Sequence, residues 1–162
     1  MRQLGDLETI LQQLVTEHEK LLRQLDDQQT AMKKLDLKAL EDISKLQEAT
    51  RLRIALLETR RRTTVSQLSL ALKIQGLATL TKVLDASGTH QPKLISLRDQ
   101  LKALMDHIAT RSHIASRLAG AVLGHLNTMV RLLAGAVEQP GVYTKHGTPQ
   151  VTGRIGVLET IG

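Results

Sequence analysis

The residues of this chain best suited to chemistry are its six histidines, and their spacing argues against the chemistry histidines most often do. A helix offers a metal two ligands when His, Asp or Glu recur at i, i+3 or i+4, as in His-Glu-x-x-His. Four residues beyond His107, His113 and His125 stand Arg111, Arg117 and Met129. His18 lies between Glu17 and Glu19, which project from different sides of a helix. The absence of cysteine excludes thiolate metal sites, disulfides and cysteine nucleophiles. The histidines therefore read as structural or surface residues, and neither a cofactor nor an enzymatic activity is expected. A phosphotransfer module remains the one catalytic alternative, with His125 as its candidate. The Lys-Gly pair that such modules place after their histidine is missing from His125-Leu126-Asn127-Thr128-Met129. No P-loop, Gly-x-Ser-x-Gly elbow or dinucleotide fingerprint is present.

Charge is the next candidate for function. The net charge is +6, yet residues 1–60 carry 10 Lys/Arg against 11 Asp/Glu, whereas residues 61–162 carry 12 against 5. A basic half can recruit nucleic acid or acidic partners. The only dense run is Arg60-Arg61-Arg62, with no aromatic nearby on which a base could stack, so a solvated helix face is the simpler reading. No basic segment followed by an apolar run opens the chain, and the apolar region 114–137 is interrupted by Arg117, His125, Asn127 and Arg131; neither a signal peptide nor a membrane span is expected.

What positions these residues is a set of long amphipathic helices. Apolar residues recur at 3-4 spacing in Leu4, Leu7, Leu11, Leu14, His18, Leu21, Leu25; in Leu40, Ile43, Gln47, Thr50, Ile54, Leu57, Leu68, Leu72; and in Leu94, Leu97, Leu101, Leu104, Ile108, Ala115, Leu118, Val122, Met129, Leu132. Residues so spaced share one side of a helix. Tyr143 is the sole aromatic, so the core is built from aliphatic side chains, which suits helix-on-helix packing better than a sheet. The expected fold is all-α: an elongated, coiled-coil-like antiparallel three-helix bundle over 1–138, with helices at about 3–34, 37–84 and 92–138. Asp36 is a plausible N-cap for the second helix, and Asp85-Ala86-Ser87-Gly88-Thr89 a stop. Unbroken, that helix would span about 70 Å at 1.5 Å per residue; Gly76 makes a break credible. Residues 139–162, with Pro140, Pro149 and five glycines, read as a flexible tail.

The third helix carries more apolar surface than one seam requires. Beside the row ending in Met129 and Leu132, a second row of Leu123, Leu126, Val130, Leu133 and Val137 repeats the spacing one residue out of phase. Together the rows cover roughly half the circumference at about 100° per residue. Such a stripe is either buried by a further helix or left as a groove for another chain, including a second copy.

At this point the chain resembles the FlgN-like flagellar export chaperones. The resemblance rests on Leu11-x-x-Leu14-x-x-Glu17-His18-Glu19-x-Leu21-x-x-x-Leu25, on Asp36-x-x-x-Leu40-Glu41, on Leu57-Glu58-x-x-Arg61, and on Tyr143 followed by Gly147 after the last helix. It covers the chain nearly end to end. It implies a cytoplasmic bacterial chaperone that keeps the hook-associated proteins FlgK and FlgL soluble and brings them to the export gate. Leu123, Leu126, Val130, Leu133 and Val137 would then take the cargo's amphipathic terminus, and Tyr143 with Gly147 would meet the gate protein FlhA. A generic coiled-coil scaffold and a nucleic-acid-binding helical protein are the competing readings.

Overall fold

The computed structural model describes residues 2–76, 79–86, 88 and 91–137. Among them the chain is helical, in the order α1 (Arg2–Lys34), α2 (Leu37–Ala71), α3 (Leu80–Asp85) and α4 (Gln91–Val137). The all-α expectation holds, with four helices where the apolar spacing predicts three. The chain divides into two compact units, Met1–Gly120 and Ala121–Gly162.

Each junction follows from local chemistry. Lys33 and Lys34 in the last turn of α1 offset the partial negative charge of its free carbonyls. The helix then closes with Asp36 N donating to Ala31 O at 3.0 Å and Leu35 N to Met32 O at 3.1 Å, the paired bonds of a Schellman cap. That cap forces Leu35 to φ 54°, where an L-residue is strained and glycine is the usual occupant. Asp36 serves both helices, because its Oδ1 accepts from Ala39 N at 3.0 Å and caps α2 as the sequence suggests.

The same device ends α2 thirteen residues before the expected stop at 84. Ile74 N donates to Ser69 O and Lys73 N to Leu70 O, with Lys73 at φ 53° and Gly76 at φ 83° shortly after. The apolar Ile74, two residues beyond the C-cap, packs against the core and so anchors the turn. The single helix predicted over 37–84 is therefore two, and α3 restarts with the Thr79 hydroxyl accepting from Lys82 N at 3.4 Å.

Within the first unit, paired contacts fix direction. Gln24 of α1 meets Thr50 of α2, and Gln28 meets Gln47, so α1 and α2 run antiparallel. Glu8 pairs with Lys93 and Asp26 with Arg111, a constant offset that sets the first part of α4 parallel to α1. The core joins Leu7, Leu11, Leu14 and Val15 of α1 to Leu57, Val65 and Leu68 of α2, Val83 and Leu84 of α3, and Leu94, Leu97 and Leu101 of α4. α3 is short, but two of its six residues are fully buried, so it is a plug for the core.

Toward residues 24–32 the seam changes character. Gln29 and Gln47 are buried where leucines would continue the pattern, and Thr50 is buried beside them. Gln47 Nε2 donates to Gln24 O and Gln28 Oε1, Gln24 Nε2 to Thr50 Oγ1 and Gln29 Nε2 to Arg111 O. Hydrogen bonds supply direction that apolar contacts lack, so this layer fixes the register between helices.

Candidate functional site

The described histidines are dispersed. His18 is buried, and its Nδ1 donates to Leu14 O at 2.7 Å, while His107, His113 and His125 are exposed on α4. No group of three or more potential metal ligands occurs among the described residues. The arginine run is divided in the same way: Arg61 forms a two-pronged pair with Glu58, with Nη2 to Oε2 at 2.8 Å, while Arg60 and Arg62 face solvent.

The two apolar rows of α4 differ sharply in burial along their length. In the first unit Leu94, Leu97, Leu101 and Ala115 are buried and Leu104, Ile108 and Leu118 half-buried. In the second unit, taken by itself, Leu123 is 66 % exposed, Leu126 41 %, Val130 63 % and Leu133 67 %. Met129 and Leu132, which the spacing assigns to the seam row, are exposed as well. Large aliphatic side chains standing largely in water along one stretch of helix form a surface that gains from being covered, since each forgoes part of the about 1.5–3 kcal/mol that full burial supplies. The side chain of Val137 lies outside the described part, as do Tyr143 and Gly147.

A second feature lies in the first unit and is not marked by the apolar spacing. Two cavities of about 350 and 410 Å³ open on the first unit, and Arg51 lines both. The α1 residues His18, Leu21 and Leu25 are buried and form the floor, while residues of α2 and α4, from buried Gln47 and Ala115 to exposed Arg51 and Ala109, form the walls. The cavities lie in line along the trough between α2 and α4, over α1, with Arg51 between them. The polar interruption Gln47 in the α2 row is its sequence trace, as are the small residues Ala109, Ser112, Ala115, Ser116 and Ala119 at 3-4 spacing on α4. A further cavity of about 340 Å³ lies between Gln13 and Glu17 of α1 and Arg53 and Leu56 of α2. There Glu17 Oε1 accepts from Lys20 at 2.6 Å, leaving its Oε2 buried without a hydrogen-bond partner.

The first unit thus carries a polar register layer and a trough, and the second, taken by itself, an exposed apolar row. The model of the FlgN protein family matches residues 1–150. The chain belongs to the FlgN family. FlgN proteins are chaperones of flagellum biogenesis and protein export that bind flagellar subunits, and they are not known enzymes. FlgN chaperones are soluble cytoplasmic proteins. In this FlgN chain one stretch within Pro92–Gly135 is long and apolar enough to cross a membrane by length and composition alone. Comparison with curated proteins and with solved structures gives no match.

Proposed function

We propose that this chaperone binds the amphipathic termini of hook-associated subunits of the FlgK and FlgL type and delivers them to the export gate. The observation that carries this is the uncovered row Leu123, Leu126, Val130 and Leu133, whose 3-4 spacing is that of a helix-in-groove seam. Val137 extends the row by one turn in sequence. A cargo terminus that forms coiled coil in the finished filament exposes an apolar stripe beforehand, and it aggregates unless that stripe is covered. Covering it with a second stripe prevents premature association while remaining reversible. Within the first unit, the pairings of α1 with α2 and of α1 with α4 support an antiparallel three-helix bundle. Before cargo arrives the same row is open to a second copy, so self-association of the free protein belongs to this reading.

The gate step is assigned to Tyr143 and Gly147 on the strength of the family resemblance, with FlhA as the partner. The decisive experiment replaces Leu126, Val130 and Leu133 together by Asp. Binding of a purified hook-associated subunit should be lost while helicity by circular dichroism stays at the wild-type level. Loss of helicity along with binding would make these residues core and sink the proposal.

A further inference from the structure

The trough of the first unit changes chemistry in order along its length, and that order describes an occupant. At one end the walls are Ile54 and Ala55 of α2 and Met105, Ile108 and Ala109 of α4, apolar throughout. At the other end Ser44, Gln47 and Glu48 of α2 face Ser112 and Ser116 of α4, with Gln28 of α1 between them. Arg51 stands at the junction, exposed and without an ion-pair partner among the described residues. From His18 to Met32 the floor covers about 21 Å at 1.5 Å per residue, or four turns of helix.

We propose that this trough is a second seat for the cargo subunit, taking one amphipathic α-helix with apolar residues at one end, a carboxylate at its middle to meet Arg51, and hydroxyl or amide side chains at the other end. The proposal rests on the chaperone reading and adds to it a site in the first unit. A helix fits where an extended segment does not. The walls are helices with their own backbone groups already paired, so a strand laid between them would leave its N–H and C=O groups unsatisfied. Small residues at every turn of the α4 wall let another helix axis approach closely. Charge decides against a second copy of this chain supplying its distal α4: from His107 to Val137 that helix has no carboxylate to offer Arg51.

The test titrates a purified hook-associated flagellar subunit into the full-length chain and its variants. Ala109→Trp fills the apolar end from an exposed position, and Arg51→Glu reverses the central charge on an exposed side chain. Each should weaken binding by about tenfold, with Arg51→Lys staying within about threefold of wild type. A photo-cross-linking amino acid at position 109 should capture the subunit. Arg51→Glu carries the test should Ala109→Trp lower the melting temperature. If the wild-type chain binds the subunit but Arg51→Glu binds equally well, or position 109 captures nothing, the trough is empty in the complex and the proposal falls while the chaperone reading stands. If the wild-type chain binds no hook-associated subunit, the chaperone reading itself fails and the assigned occupant with it.

Discussion

Gln47 of α2 and Gln28 of α1 meet side chain to side chain, with Gln47 Nε2 donating to Gln28 Oε1 at 3.2 Å and to the Gln24 carbonyl at 3.4 Å. The contact sits in the stretch of seam where leucine gives way to glutamine. Gln47 is almost wholly buried, so its truncation removes both hydrogen bonds and leaves a gap in the seam. Gln47→Ala should cost about 1–3 kcal/mol in urea unfolding, more than truncation of an exposed glutamine such as Gln12. Equal, small effects at both sites would show that the polar layer contributes nothing to stability.

Leu35 and Lys73 offer the opposite sign. Both hold the left-handed position of a helix-terminal cap, at φ 54° and 53°, and both are exposed. Leu35→Gly and Lys73→Gly should each raise stability by about 0.5–1 kcal/mol, the relief of backbone strain exceeding glycine's greater unfolded-state entropy. Thermal melts of the two single variants and the double variant measure this directly. A lower melting temperature would mean that the stems of these side chains matter more than their backbone angles.

Along α4, burial predicts two classes of leucine. Leu94 is fully buried in the core, so Leu94→Ala should cost about 2–5 kcal/mol through the cavity it leaves. Leu132→Ala, at a side chain mostly in water, should fall within about 0.5 kcal/mol of wild type. Chemical denaturation of both separates the classes, and a large loss at Leu132 would place it under cover in solution.

Tyr143 follows the helices in a Pro/Gly-rich segment and is the chain's only aromatic. An amphipathic ring with a hydroxyl suits a transient interface. Tyr143→Ala should weaken binding of the loaded chaperone to the cytoplasmic domain of FlhA, with cargo affinity and melting temperature unchanged. A marked fall in melting temperature, with gate binding normal per folded molecule, would assign the ring to the fold.

The amino-acid sequence by itself determined the all-α class, the core face of α1 from Leu4 to Leu25, and the start of α2 at Asp36. These rest on contacts within a few residues: periodic burial, and a carboxylate three residues from the amide it caps. The order Leu-x-x-Leu to Glu-His-Glu and the later Leu57-Glu58-x-x-Arg61 likewise made the family legible, and Glu58 and Arg61 prove to be an ion pair on one helix face. The tertiary structure alone decided where α2 ends. Leucine and lysine are poor signals for a left-handed cap, and that cap is held in place by Ile74 packing on a core that residues 37–71 do not contain by themselves. It also decided which apolar surface of α4 is covered. The two parts of α4 are similarly apolar as sequence, and packing against α1 and α2 covers Leu94, Leu97 and Leu101, whereas Leu123, Leu126, Met129, Leu132 and Leu133 stand largely in water. The trough belongs to the same class of fact: Arg51, His18 and Met105 are remote in sequence, and they become neighbours only because three helices meet in one register.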